Sequence, residues 1–331
     1  MLPRLDVFGS LPLALKLNHL KLNHLKLNHL KLNTMFFPHL VLGTAQLGLP
    51  YGLANKVGQP DQAVAITIIR EAWKNGIREF DTAQAYGDSE KVLGKALYEL
   101  GISSEAKIIT KFHPNLDHLN ASDMSRALDE SLERLRVRSL YGIMLHREEM
   151  LSLWNKGLAK ILHAFILSGR VEKIGISVYS PDKAIQALNT EGISMVQLPT
   201  NIVDRRFENT GVFKLSDEKK KQIYIRSVFL QGLLLMNPEE ISDKMSFVRP
   251  IIKEIQTISN NIGLSQQEIA LGYVKSEMPN AHVVFGAESS EQVKSNIACW
   301  RKNIQQNLVD MIKRKFDDID EVILNPNLWP K

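Results

Sequence analysis

The chain has 331 residues, of which 44% are hydrophobic and 23% charged, and it contains one cysteine, Cys299. This length and composition can bury a large core and argue against disorder of the whole chain. A single cysteine excludes an internal disulfide and a cysteine-based zinc cluster, and we expect it to be buried in packing. No uninterrupted apolar run approaches the roughly 18 residues of a membrane-spanning helix, so we predict a cytoplasmic protein without a membrane partner.

Residues 1–34 differ from the rest of the chain in composition. Five basic residues and one acid lie here and account for nearly all of the net charge of +5, so we predict no nucleic-acid partner for the remainder. The repeat Lys-Leu-Asn-His-Leu runs from Lys16 to Leu30, and its five-residue period builds neither a helical stripe nor one face of a strand. We expect a mobile, low-complexity extension or a translated upstream repeat, with a targeting peptide as the alternative.

Short β-branched runs alternate with longer amphipathic stretches from residue 35 onward. The predicted strands are residues 40–43, 79–82, 107–110, 141–145, 173–177, 195–198, 222–227 and 283–285. The predicted helices are residues 61–74, 89–100, 122–135, 150–168 and 181–187, the last with Ser180 as N-cap, and more helix is expected at 239–278 and after 304. This alternation is typical of a parallel sheet with helical crossovers.

Eight strands fit a closed barrel, and short linkers favour one domain over two. We therefore predict a single (β/α)₈ TIM barrel over residues 35–331, with helical additions near its C-terminus. An open Rossmann-type sheet is the competitor, and it requires a glycine-rich turn after the first strand. Residues 43–48 supply only two glycines at the wrong spacing.

Polar side chains close three successive predicted strands. Asp81, Lys111 and His146 stand at these ends, and Tyr86 lies five positions beyond Asp81. Barrel enzymes keep their chemistry at the carboxyl ends of strands. Individually such residues often cap a loop, face solvent or serve packing, but their joint placement favours a catalytic set. A fixed charge beside the phenol would make Tyr86 a proton donor near neutral pH.

Residues 81–97, DTAQAYGDSEKVLGKAL, resemble the first signature of the aldo-keto reductase family. Weaker motifs agree in order along the chain, at residues 174–177, 196–201, 226–234 and 285–287, and the resemblance runs from about residue 41 to 296. It implies an NAD(P)H-dependent oxidoreductase with Asp81, Tyr86, Lys111 and His146 as its catalytic tetrad. Tyr86 would be the general acid, Lys111 would lower its pKa, Asp81 would keep the ammonium charged and His146 would orient the carbonyl.

The resemblance also implies a nicotinamide cofactor, NADP(H), with NAD(H) as the alternative. Ser177 and Gln197 would hold the carboxamide, the loop from Ser227 to Gly232 would cover the pyrophosphate, and backbone donors at a helix start near Ser289 would serve the phosphate end. The full set of predicted cofactor residues is Thr44, Ser177, Gln197, Ser227, Phe229, Gln231, Gly232, Gly286, Gln292 and Asn296.

This sequence departs from the family pattern at both ends of that site. Val178 stands where an asparagine often follows the serine, and Gly286 and Gln292 stand where many members carry a lysine and an arginine for the 2′-phosphate. Glu288 adds negative charge nearby. Fewer charged donors weaken discrimination in favour of the phosphorylated cofactor, although Lys294 could compensate.

The expected activity is reduction of a small aldehyde or ketone, including a sugar-derived carbonyl. Two alternatives remain open. One is a cofactor-binding regulatory or scaffold subunit with little turnover, and the other is a metal-dependent barrel hydrolase using Asp81, His113 and His146, which lacks a paired-histidine spacing. We predict no metal ligands, while His113, Tyr51 and Trp300 could line a substrate pocket or serve packing.

Overall fold

The computed structural model describes residues 39–330, and the expectations for residues 1–34 lie outside this range. Eight parallel strands pair in chain order and close into a barrel. They are β1 Leu40–Gly43, β2 Glu79–Asp81, β3 Lys107–Lys111, β4 Leu140–Leu145, β5 Val171–Ser177, β6 Met195–Pro199, β7 Gln222–Arg226 and β8 His282–Gly286. Pairing of β1 with β8, with Gly43 opposite Gly286, closes the ring. The predicted (β/α)₈ barrel is confirmed, and residues 39–330 contain no open Rossmann-type sheet.

Helices lie between the strands and after β8. The longer ones are Gln62–Lys74, Ser89–Leu100, Ala121–Leu135, Leu158–Leu167, Pro181–Asn189, Val212–Lys219, Arg249–Ile262, Gln266–Glu277, Ser290–Arg301 and Gln306–Lys315. Single α-helical turns lie at Ala45–Gly48, Arg206–Asn209 and Glu321–Leu324, and 3-10 segments at Glu148–Lys156, Leu233–Leu235, Pro238–Glu240, Asp243–Val248 and Pro326–Leu328. Within residues 39–330, no helix combines the length and apolar character needed to span a bilayer.

The helix predicted over residues 150–168 is wrong as a single element. A 3-10 segment, Glu148–Lys156, precedes the α-helix Leu158–Leu167, and Gly157 between them has a φ of 124°. Apolar spacing continues through this break, but only glycine adopts such a φ readily, so the axis changes there.

Ser180 precedes the helix Pro181–Asn189 as predicted, but its side chain accepts no capping hydrogen bond. Its hydroxyl donates instead to Glu148 Oε1 at 3.1 Å, and its backbone N–H donates to Glu148 Oε2 at 3.0 Å. A carboxylate from the preceding βα loop therefore satisfies this helix start.

The barrel interior is apolar in its middle and polar towards the carboxyl ends of the strands. The central cluster consists of Val41, Ile109, Met144, Met195, Tyr224 and Val284. Above it lie the buried side chains of Asp81, Lys111 and Gln197. Cys299 is a free, buried thiol on the helix Ser290–Arg301, as expected for a packing residue.

Candidate active site

The four predicted catalytic residues lie at one end of the barrel. Asp81 is the last residue of β2, Lys111 is the last residue of β3, and His146 directly follows β4. Tyr86 lies in the loop between β2 and the helix Ser89–Leu100. Because parallel strands direct their carboxyl ends to the same rim, residues up to 65 positions apart in sequence meet there.

Lys111 and Asp81 form a buried ion pair. Lys111 Nζ donates to both Asp81 carboxylate oxygens, at 2.8 and 2.7 Å, and to the carbonyl oxygen of Thr82 at 2.9 Å. The side chains are 0% and 5% exposed. Burial lowers the pKa of Lys111, and the charge of Asp81 opposes that loss. Asp81 accepts a third hydrogen bond from Gln197, whose Nε2 donates to Asp81 Oδ1 at 2.9 Å.

Tyr86 lies against this pair and against His146. Lys111 Nζ is 5.1 Å from the centre of the Tyr86 ring, and the rings of Tyr86 and His146 meet edge to face with centroids 5.7 Å apart. Burial and the charge of Asp81 raise the pKa of Tyr86, and the charge of Arg226 acts in the opposite direction. Burial and Asp81 dominate, so the net shift is opposite to the lowering that we expected from Lys111. The phenol is consequently protonated at neutral pH.

His146 is neutral at physiological pH. Burial, followed by the charges of Lys111 and Arg226, lowers the pKa of His146 to about 3. Its Nδ1 is buried and has no hydrogen-bond partner among residues 39–330. A neutral imidazole offers one N–H and one lone pair, so His146 can donate to a carbonyl oxygen without carrying charge.

A cavity extends from Asp81 and Tyr86 across the carboxyl ends of β1, β7 and β8. Nine of the ten predicted cofactor residues line it, namely Thr44, Gln197, Ser227, Phe229, Gln231, Gly232, Gly286, Gln292 and Asn296. Ser177 does not line this cavity. It is buried at the end of β5, where it pairs in register with Gln197.

The loop after β7 has an unusual backbone. Ser227, Leu230 and Gln231 have φ values of 62°, 47° and 56°, and Gly232 follows at 87°. Left-handed conformations of non-glycine residues cost about 1–2 kcal/mol each, and strain of this kind concentrates at ligand sites. Loops with such turns can present backbone N–H groups to anions, which is the property that a pyrophosphate site requires.

A second loop, residues 51–58 after β1, packs on the loop after β7. The backbone N–H groups of Leu53 and Ala54 donate to the carbonyl oxygen of Gln231 at 2.9 and 3.4 Å. Farther along, Lys56 Nζ lies 2.8 Å from Glu240 Oε1. The cavity therefore lies beneath two loops that are hydrogen-bonded to each other.

The far end of the cavity is formed by β8 and the start of the helix Ser290–Arg301. A Cβ added at Gly286 would lie 2.2 Å from Gln46 Nε2, so the Gln46 amide occupies the space where a longer side chain would begin. Gln292 Oε1 accepts from the backbone N–H of Glu288 at 2.8 Å, and Ser289 caps the helix by accepting from Gln292 N. Among the cavity-lining residues, none at this end is a lysine or arginine.

Sequence reasoning missed two residues of this site. Gln46 and Arg226 line the cavity, and neither was assigned a role. A signal existed for Arg226, because it closes a strand on the same rim as Lys111. Tyr51 and Trp300 were each expected either to line a substrate pocket or to serve packing. Tyr51 lines the cavity. Trp300 is buried on the helix Ser290–Arg301, and its carbonyl oxygen accepts from Lys275.

The hydrolase alternative requires a ligand set around Asp81. Within the described range, no three or more histidine, cysteine, aspartate or glutamate side chains are grouped to hold a metal ion. The Asp81 carboxylate is bound by Lys111 and Gln197. His113 accepts through Nδ1 from the backbone N–H of Asn115 at 3.2 Å and does not line the cavity.

Comparisons with known proteins agree on one family. The Aldo/keto reductase family model matches residues 39–317. The aldo-keto reductase YhdN of Bacillus subtilis is 25% identical over 274 residues, which cover 74% of this chain and 82% of that protein. The NADH-specific methylglyoxal reductase of Escherichia coli is 23% identical over 280 residues, covering 75% and 86%.

A solved structure has the same barrel. The aldo/keto reductase of Klebsiella pneumoniae, in complex with NADP and acetate, superposes with a TM-score of 0.66 at 19% identity, covering 84% of this chain and 91% of that one. The family match spans all eight strands. With the barrel fold and the ordered sequence motifs, this match shows that the chain belongs to the aldo/keto reductase family of oxidoreductases that act on carbonyls.

Proposed function

We propose that this protein reduces an aldehyde or ketone with a reduced nicotinamide cofactor, and that Tyr86 delivers the proton. One observation carries the proposal: the Tyr86 phenol lines the cavity beside the buried Lys111–Asp81 pair and the neutral His146 ring. A regulatory subunit with little turnover would not need this assembly. The substrate is a small aldehyde or a sugar-derived carbonyl, and we place the enzyme in the cytoplasm.

Each residue of the site would have a separate role in the reaction. A bound reduced nicotinamide supplies hydride. Tyr86 would donate a hydrogen bond and then its proton to the carbonyl oxygen, on which negative charge develops during reduction. The neutral His146 orients the same oxygen. The remaining phenolate is stabilised by Lys111, whose ammonium Asp81 keeps charged in the buried site.

The charge at the far end of the cavity, formed by β8 and the start of the helix Ser290–Arg301, affects the choice between NADH and NADPH, because the adenosine would lie there. Recognition of a 2′-phosphate depends on charge-assisted hydrogen bonds, and here Glu288 lines the cavity while no lysine or arginine among the lining residues lies at this end. A carboxylate suits the ribose hydroxyl of NADH instead. NADH is therefore accepted at least as well as NADPH, the reverse of the preference implied by sequence resemblance. The NADH-specific methylglyoxal reductase of E. coli supports this view, whereas the Klebsiella structure in complex with NADP supports NADPH.

Cofactor oxidation followed by absorbance tests the function. The parent is assayed with NADH and NADPH against aldehydes and keto-sugars, and Tyr86→Phe is expected to lower kcat by about 10²- to 10⁴-fold with cofactor binding unchanged. Tyr98→Phe is the matched control, since Tyr98 is 64% exposed on the helix Ser89–Leu100.

Three results would count against these proposals. Undiminished turnover by Tyr86→Phe, where chemistry limits the rate, would remove Tyr86 from the mechanism. Tight cofactor binding without turnover of any carbonyl would favour the regulatory subunit. A KM for NADPH well below that for NADH would restore the NADPH preference.

A further inference from the structure

Arg226 is a cation in the cavity without a carboxylate partner. It closes β7, and it is the one lysine or arginine among the cavity-lining residues. Its guanidinium donates two long hydrogen bonds, to Ser227 Oγ and to the carbonyl oxygen of Val178, each at 3.4 Å. No aspartate or glutamate in the described part of the chain forms an ion pair with it. Most of its five N–H donors are thus available to a ligand.

The position of this guanidinium is fixed by the neighbouring loops. Its central carbon lies 4.2 Å from the centre of the Tyr179 ring. The Tyr179 backbone N–H donates to Glu148 Oε2 at 2.6 Å, the same carboxylate oxygen that accepts from the Ser180 backbone N–H. Glu148 therefore holds the turn after β5 so that Tyr179 packs against Arg226. A guanidinium stacked on an aromatic face keeps its N–H edge free for a planar anion.

Arg226 is also close to the reacting groups. Arg226 and Tyr86 line the same cavity, and the charge of Arg226 acts on both the Tyr86 phenol and the His146 imidazole. A ligand anion bound by Arg226 would therefore lie near a carbonyl placed at Tyr86. Carboxylates and phosphates match the paired donors of an arginine, and such charge-assisted bonds are strong in a partly buried site.

We propose that Arg226 is a specificity-determining residue that binds a carboxylate or phosphate group of the carbonyl substrate. This inference rests on the proposed carbonyl reduction. It narrows the substrate to an anionic aldehyde or ketone whose charge lies a few bonds from the carbonyl carbon. Tyr179 and Glu148 act as positioning residues for the guanidinium.

Matched substrate pairs test the assignment. Succinic semialdehyde is compared with pentanal for the carboxylate, and glyceraldehyde 3-phosphate with glyceraldehyde for the phosphate. For each pair, the ratio of kcat/KM for the charged member to that for the neutral member is measured, so that effects on the cofactor or on Tyr86 cancel. Arg226→Met should lower at least one ratio by about tenfold or more, and the affected pair identifies the anion.

Two variants separate geometry from general charge. Arg226→Lys keeps the charge but loses the paired donors, so it should recover only part of the ratio. Arg147→Met removes an exposed arginine whose charge also acts on His146, and it should leave both ratios within about twofold of the parent. Equal decreases of the kcat/KM ratios in Arg147→Met and Arg226→Met would indicate a general electrostatic effect of positive charge and would overturn the assignment.

Failure of this inference differs from failure of the proposed function. Unchanged ratios in Arg226→Met overturn the anion site while carbonyl reduction stands. Weaker cofactor binding with unchanged ratios places the guanidinium on the cofactor and also overturns it. If the parent reduces no carbonyl, the anion site is tested by ligand binding instead. Phosphate or acetate should raise the Tm of the cofactor-loaded parent but not that of cofactor-loaded Arg226→Met. An equal rise in the Tm of both proteins would overturn the inference.

Discussion

At the scale of single residues, the site depends on charges that are buried in pairs. Lys111 and Asp81 are almost fully enclosed, and three hydrogen bonds from Lys111 hold the ammonium in place. The pair keeps a cation 5.1 Å from the Tyr86 ring centre while its own two charges cancel. The contribution of the pair to stability can be separated from its contribution to turnover, because a single substitution should lower both and a double substitution should lower turnover more than stability.

Lys111→Met should destabilise the fold, since it leaves the Asp81 carboxylate buried without its partner. We expect the free energy of unfolding to fall by about 3–5 kcal/mol, measured by urea denaturation at neutral pH. Lys95→Met is the control, because Lys95 forms an exposed pair with Glu99 at 3.9 Å and should cost less than about 1 kcal/mol.

The double variant Lys111→Met with Asp81→Asn should regain much of that stability, because no unpaired charge remains, yet its turnover should stay low. Full stability in Lys111→Met alone would show that Asp81 reaches solvent or takes up a proton at little cost.

His146 gives the protein a predictable pH dependence. Its pKa is lowered from 6.5 to about 3 on folding, so between these values the unfolded chain binds more protons than the native protein. The contribution is fully present above pH 6.5 and is lost progressively as pH falls towards 3. Urea midpoints measured at pH 7 and pH 5 should therefore differ less in His146→Asn than in the parent.

The exposed residue His163 supplies the comparison, and His163→Gln should keep the parent's pH dependence. An identical pH dependence in His146→Asn and the parent would mean that the imidazole is solvated in the native state.

At the scale of elements, Tyr86 is positioned by backbone packing between the turn after β1 and the loop after β2. A Cβ added at Gly48 would lie 1.8 Å from the carbonyl oxygen of Tyr86 and 2.4 Å from the backbone nitrogen of Ser89. Ser89 Oγ also donates to the carbonyl oxygen of Thr44 at 2.7 Å. The start of the helix Ser89–Leu100 thus fixes the loop that carries the phenol.

Gly48→Ala should displace Tyr86, because the clash is with backbone atoms that cannot rotate away. A shift near 1 Å costs about 10²-fold in rate, so kcat should fall by roughly that factor in the carbonyl reductase assay. Gly263→Ala is the control: its φ of 68° strains the chain, but its added Cβ meets nothing within 4 Å.

The control should lose about 1–2 kcal/mol of stability and retain the parent's kcat. If Gly48→Ala retained kcat as well, Tyr86 would not depend on this contact.

At the scale of the whole molecule, the described residues contain a closed barrel. Every strand from Leu40–Gly43 to His282–Gly286 has two neighbours, and the first pairs with the last. The barrel therefore needs no additional strand to satisfy its edges. Residues 1–34 carry nearly all of the net charge, and the period of their five-residue repeat matches neither that of a helix nor that of a strand.

Deletion of residues 1–34 should accordingly leave the Tm and kcat of the enzyme unchanged. Thermal unfolding followed by circular dichroism, with the full-length chain measured in parallel, checks this expectation. A fall of several degrees would show that the segment stabilises the barrel, and a change in cellular location without a change in Tm would support the targeting alternative.

The sequence by itself determined the eight strands, the closed barrel and the rim on which Asp81, Lys111 and His146 meet. Alternation of short and long apolar patterns is a local property, and parallel strands place their carboxyl ends together once the sheet closes. The helix break at Gly157 was not predicted, because the apolar spacing continues across it.

Only the tertiary structure decided the electrostatics and the shape of the cavity. The protonation of Tyr86 and His146 depends on burial and on charges brought together from β2, β3 and β7. The sequence argument predicted a lowered pKa for Tyr86, whereas the folded site raises it. The position of Gln46 and Arg226 in one cavity likewise follows only from the folded barrel. Distances between residues far apart in sequence set these energies, and no local pattern encodes them.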